Sequence, residues 1–176
     1  MKIGRYLVLF ILAAVACSSA ARSQEASVTS QYPIISAYIY NFTQFTTWPD
    51  KAIKDEFSVC VLGRDPFGAS LAPLKSRSVN QKNIAIRYQR RGDGLTGCNI
   101  LFIAESESDH VDEIVKSLGD APVLTMSNID GFTDAGGMVE FQRNDQKIGI
   151  KIGLTSVQNS GITISSKLLR IADTSQ

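Results

Sequence analysis

Cys60 and Cys98 are the side chains of this chain best placed to do covalent chemistry. The first lies inside an apolar run and the second just before another. They do not form a C-x-x-C unit, so the paired thiols of an exchange catalyst are missing. Two readings stand. In an oxidising compartment they join as one intramolecular disulfide. Otherwise they stay a buried pair of thiols, or one is a redox-sensing thiol. The rest of the reactive inventory is thin. His110 is the single histidine. Ser106 and Ser108 are close to it in sequence, and Asp109 and Asp112 flank it. No G-x-S-x-G elbow accompanies them, so a surface position on a helix is the expected one.

Metal and phosphate chemistry find little support. One histidine and two strand cysteines do not supply the three or four ligands that zinc takes. Asp50, Asp55 and Glu56 lack the spacing of a calcium loop. Gly63 to Gly68 lies between a strand and a helix but lacks the terminal Lys-Ser/Thr of a phosphate loop. Asp65 at that helix start would also repel a phosphate. Gly136-Gly137 lacks the dinucleotide pattern. No catalytic residue, no metal ligand set and no cofactor is expected.

The elements that position the cysteines follow from apolar periodicity. Ile34, Ile35, Tyr38, Phe42 and Phe45 recur at helical spacing, with Pro33 in the first turn and Trp48-Pro49-Asp50 as the stop. Phe57 to Leu62 reads as a central strand. Asp65 is an N-cap and Pro66 the first residue of a short helix that buries Leu71 and Leu74. Residues 75–83 read as a loop and Ile84 to Tyr88 as a strand. A glycine-rich connection from Arg90 to Gly97 leads to a strand at Asn99 to Ile103. Ser106 or Ser108 caps the next helix, where Val111, Ile114, Val115 and Leu118 form one apolar stripe. Gly119 ends it in a left-handed conformation.

Pro122 to Met126 is a further buried strand, with proline at its first residue. Val139 and Phe141, then Ile148, Ile150 and Ile152, alternate with polar residues around Asn144-Asp145, which is a hairpin. A short helix at Thr155–Asn159, the Ile162/Ile164 pair and a helix at Ser166–Ala172 close the chain. Strands joined by crossover helices predict an α/β fold: a single three-layer domain, mostly parallel, with a C-terminal antiparallel hairpin.

Lys2 and Arg5, the apolar run Tyr6 to Ala16, and the small residues Cys17 to Ala21 have the order of an export signal. The run is shorter than the roughly 20 residues of a membrane span. Cleavage after Ala21 is expected, because Ser19 and Ala21 fit the small-x-small rule. The expected organisation is a signal peptide at 1–21, a flexible N-terminus at 22–31 and one domain at 32–176. Lipidation at Cys17 is the alternative; Ala16 suits it, but Ala14 stands where leucine is usual.

Losing Lys2 and Arg5 takes the 18 basic side chains to 16 against 17 acidic ones, a formal charge of −1. Arg87, Arg90 and Arg91 are the densest basic patch, and Asp93 follows them. That is a solvated strand end, not the positive surface that nucleic acid needs. Tyr38, Tyr40, Phe42, Phe45 and Trp48 crowd the first helix and its exit. Most of them are expected in the core, and any left exposed would suit protein binding.

Five segments in order resemble the YfiR-like family of periplasmic regulators. They are AYIYNFTQFTTWP at Ala37 to Pro49, the LGRDPF turn within Phe57 to Phe67, CNILFIA at Cys98 to Ala104, PVLTMSNIDGFTDAGGMVEF at Pro122 to Phe141, and GITISSKLLRIA at Gly161 to Ala172. The resemblance implies an α/β fold, often a homodimer, and a disulfide that here joins Cys60 and Cys98. Many members carry a second cysteine pair near the late hairpin, which this chain lacks. Members commonly have Phe-Glu-Ile-Asn in the last hairpin strand. Here Ile150, Lys151, Ile152 and Gly153 stand there, so the charge of one position is reversed.

The resemblance also implies a function: binding the periplasmic sensor domain of an inner-membrane diguanylate cyclase and lowering cyclic-di-GMP. Other members sit near sensor kinases or transport systems. The expected contacts are Tyr40, Asn41 and Trp48, with Glu140 and Lys151 on the hairpin edge. The alternative is a periplasmic solute-binding module for a sensor kinase or transporter, its cleft at the strand C-termini near Asp65, Asn128 and Asp130. A secreted hydrolase using His110 is a third class.

Overall fold

A computed structural model describes residues 31–144, 147–170 and 172–175. The expectations for residues 1–21, for Cys17, for 22–30 and for Asp145 in the hairpin turn lie outside these residues. The first described helix, α1, runs from Tyr32 to Phe45 and buries Tyr32, Ile35, Ser36, Ile39, Phe42 and Thr43. The inward face is therefore rotated from the expected one. Ile34 is 46% exposed, and Tyr38 and Phe45 are half-buried. Apolar residues surround this helix, so its periodicity alone does not choose a side.

Thr46–Thr47 (β1) pairs antiparallel with Thr163–Ile164 (β9), a two-stranded sheet that the sequence pattern does not announce. The main sheet is built from Phe57–Leu62 (β2), Ser78–Val79 (β3), Lys82–Gln89 (β4), Ile100–Ile103 (β5), Leu124–Ser127 (β6), Val139–Asn144 (β7), Lys147–Gly153 (β8) and Asp173–Ser175 (β10). Its order is β10-β8-β7-β6-β5-β2-β4-β3. The β4–β2–β5–β6–β7 pairings are parallel, as is β10 on β8. β7–β8 is the expected antiparallel hairpin, with Glu140 opposite Lys151 and Phe141 opposite Ile150.

Three layers follow from alternation along the buried strands. Phe57, Val59 and Val61 of β2, with Ile100 and Phe102 of β5, face the core under α1. Cys60, Leu62, Leu101 and Ile103 face the opposite core, closed by Val111, Ile114 and Leu118 of the helix Val111–Leu118 (α2). Both faces of the central strands are thus covered, as a parallel sheet requires.

Several boundaries depart from expectation. The expected 75–83 loop contains β3, joined to β4 through Asn80 and Gln81, both at positive φ (48° and 66°). That is the backbone twist of a two-residue hairpin turn, here without glycine. Asp65 accepts the Phe67 N–H at 2.8 Å, but the 3-10 helix begins only at Gly68 and runs to Ser76. Neither Ser106 nor Ser108 caps α2, because a 3-10 turn from Glu105 to His110 precedes it. β6 starts two residues beyond Pro122. The last helix stops at Leu169, and β10 follows it, so the hairpin is not the sheet edge.

The connections cross at one place. From β2 the chain goes to β4 on one side, then passes to β5 on the other. The C-terminal ends of β2 and β5 therefore diverge into loops on opposite sides, leaving a crevice between them.

Candidate functional site

Cys60 and Cys98 are joined by a disulfide, Cα to Cα 5.9 Å, with both residues buried against α2. The bridge ties β2 to the start of β5. These strands are adjacent in space but separated in the chain by the whole excursion through β4. Beside it stands Asn99, 3% exposed, which sequence reasoning passed over. Its Oδ1 accepts the Ser58 N–H at 2.8 Å, and its Nδ2 donates to the Ala52 carbonyl at 2.9 Å. Its own carbonyl accepts the Trp48 Nε1–H at 3.1 Å and the Leu124 N–H at 2.9 Å. One asparagine thus joins the helix exit, β2, β5 and β6. A buried side chain with both amide atoms satisfied specifies geometry, since leaving either orphaned costs free energy.

The five expected contact residues do not form one surface. Trp48 is 5% exposed and meets Phe57 edge-to-face, ring centroids 4.9 Å apart. Tyr40 is half-buried, with the Arg77 guanidinium 5.3 Å from its ring centre. Asn41 is half-buried on the same helix. Glu140 is 2% exposed. Lys151 is half-buried and reaches Asp134 at 2.8 Å. Trp48 and Glu140 therefore hold neighbours in place, while Tyr40, Asn41 and Lys151 keep accessible surface.

Glu140 is the most heavily partnered carboxylate described. Its Oε2 accepts the Thr133 N–H (3.0 Å) and hydroxyl (3.1 Å), and its Oε1 accepts from Gln142 (3.0 Å). Burial is the largest single influence and disfavours the charge. The Thr133 N–H, the Gln142 amide, the Thr133 hydroxyl and the Lys151 ammonium outweigh it, so the carboxyl sits below its ordinary 4.5. Asp134 holds the Lys151 ammonium above the usual lysine range against an opposing effect of burial, with a further contribution from Glu140. Where the resemblance expects glutamate at 151, this chain has a cation between two acids.

A depressed carboxyl pKa adds stability that is full above the unfolded value and lost as pH falls through the folded one. Glu140→Gln should therefore destabilise at neutral pH by about 1.5–3 kcal/mol, the range for hydrogen bonds to a charged acceptor. The gap to wild type should close as pH falls below 4.5. Urea titrations at pH 7, 5 and 3 check this; a gap that does not change with pH would show that the charge is not what stabilises.

A second feature lies at the crevice between β2 and β5. Gly63, Arg64, Arg90, Arg91, Ser106 and Glu107 line an open cleft of 540 Å³. Of the loop residues expected there, Asp65 is adjacent. Asn128 is bonded to Glu105 at 2.5 Å, and Asp130 is exposed. His110 is half-buried beside Arg91, whose Nη1 lies 2.7 Å from its Nε2. Neither Ser106 nor Ser108 is within hydrogen-bond reach of that ring, so the arrangement does not make a nucleophile–base pair.

No helix among the described residues is long and apolar enough to cross a membrane. A family model described as DUF4154, YfiR/HmsC-like, matches residues 32–173. No curated protein matches the chain.

Proposed function

The chain belongs to the YfiR/HmsC-like family, and from that premise we propose that it is a non-enzymatic periplasmic regulator. It binds the periplasmic sensor domain of an inner-membrane signalling protein, a diguanylate cyclase by preference, and lowers cyclic-di-GMP synthesis on the other side of the membrane. The observation that carries this reading is the family match across the entire α/β domain. The export-type leader in the sequence and the buried Cys60–Cys98 bridge support it.

The physical requirement is differential affinity. A regulator restrains its partner only by binding the inactive state more tightly than the active one. The disulfide contributes by keeping the binding-competent fold populated. The contact surface we assign is the outer side of α1 around Tyr40 and Asn41, with exposed Ile34 near its start, and the sheet face at Lys151. A homodimer of the free protein competes for the same surfaces.

Deleting the gene should raise cyclic-di-GMP, and photo-crosslinkers at Asn41 and Lys151 in live cells should capture one inner-membrane sensor. Unchanged cyclic-di-GMP under both oxidising and reducing stress, with no membrane protein captured, would refute the reading. The solute-binding alternative draws on the crevice between β2 and β5. A small molecule from periplasmic extract that raises the melting temperature of the purified protein, with no sensor captured, would favour it instead.

A further inference from the structure

We infer that the crevice at the C-terminal ends of β2 and β5 is a binding site for a small oxyanion-bearing solute, a phosphate ester or a carboxylate. The inference stands whether or not the chain restrains a cyclase. Position is the first ground. In open α/β sheets the strand order reverses at one point, and the loops that diverge there leave room for a ligand. Here the reversal lies between β2 and β5, and the cleft is lined by the loops that follow them and by the end of β4.

Donor chemistry is the second ground. Arg64 and Arg90 are exposed and make no ion pair among the described residues. Arg91 is held from behind: its Nε meets Glu107 at 2.8 Å, and its Nη1 meets His110 at 2.7 Å. Ser106 accepts the Arg64 N–H on its oxygen at 2.9 Å, which leaves its hydroxyl proton to donate into the cleft. Three guanidiniums and a hydroxyl present almost only donors, and the complementary ligand is an acceptor-only group.

Of the nearby acids, one offsets a single guanidinium and the others lie outside the lining. Asp65 accepts the Phe67 N–H and Asp93 the Arg90 N–H, and neither lines the cleft. Glu107 does line it, but it is 7% exposed and engaged with Arg91. The close approach of this carboxylate is permitted by Gly63, at φ 93°, where an added Cβ would sit 2.5 Å from Ser106 Oγ and 2.8 Å from Glu107 Cγ. The turn after β2 is thus shaped so that Ser106 and Glu107 close down on it.

The test is an NMR titration of the mature, oxidised protein with inorganic phosphate, glycerol 3-phosphate and citrate in turn. Saturable shifts should concentrate at the amides of Gly63, Arg64, Arg90 and Ser106. Arg64→Glu should weaken binding about tenfold, the loss of one charged hydrogen-bonding partner. Arg87→Glu makes the same charge change outside the cleft lining, in the middle of β4 where the side chain reaches back to Glu56, and should leave affinity within about twofold of wild type. Tighter binding of glycerol 3-phosphate assigns the site to phosphate esters, and tighter binding of citrate to carboxylates. No saturable shift with any of the three, or equal weakening in both variants, would overturn the proposal.

Discussion

Protein carrying Cys60→Ala and Cys98→Ala should unfold in urea with about 4 kcal/mol less stability than the oxidised wild type. The figure follows from the chain entropy released when a bridge of sequence separation 38 is removed. It is a large share of the roughly 5–15 kcal/mol that holds a domain together. The topology explains the size. β2 and β5 are parallel neighbours, and the chain between them must travel out through β4 and return. Without the bridge, that closure has to be met from contacts alone.

Two accompanying signs separate this account from mere loss of packing. The denaturant dependence should steepen, because an uncrosslinked chain exposes more surface when it unfolds. Wild type kept reduced should fall in the same direction without any side chain being truncated. A midpoint unchanged in both reduced wild type and the double variant would remove the bridge as a source of stability, and with it the contribution of the bridge to the binding-competent fold.

Trp48→Ala should cost about 3–5 kcal/mol, the range for truncating a buried large aromatic. Trp48→Phe should cost less than half as much. The two differ in what they remove. Phenylalanine retains most of the apolar volume and an edge contact with Phe57, the latter worth roughly 0.5–1.5 kcal/mol. It loses the donor to the Asn99 carbonyl, a net loss of about 1 kcal/mol, because that oxygen keeps the Leu124 N–H. Circular dichroism in urea is the measurement, since Trp48 is the protein's one tryptophan and its fluorescence disappears with it. A loss below about 1 kcal/mol for the alanine variant would contradict the core role. Unchanged stability in Trp48→Phe with sensor capture abolished would return this residue to the interface.

How far sequence reasoning reached varied with what each residue depends on. β2, β5 and the stripe of α2 were legible because each is a local pattern whose apolar residues have one place to go. The hairpin was legible for the same reason, and its register sets Glu140 against Lys151. Residues whose role comes from distant partners were not legible. Asn99 looks like any asparagine before a strand, and only the fold brings Ser58, Ala52, Trp48 and Leu124 around it. Glu140 reads as an outward position in an alternating strand, yet it is buried, with the Thr133 N–H and hydroxyl bonded to its carboxylate. Arg64 lies far from Arg90 and Arg91 in the chain, so no spacing announces their common cleft.

The amino-acid order by itself determined the fold class, the elements of both cores and the opportunity for one bridge. Local periodicity and composition are properties of short stretches, and short stretches carry them unaided. Which side of α1 turns inward, what covers the hairpin, and which polar groups meet at the crossing of β2 and β5 were decided by tertiary structure. Those outcomes depend on strand order and long-range pairing, where the interacting groups are tens of residues apart and become neighbours only once the sheet has formed.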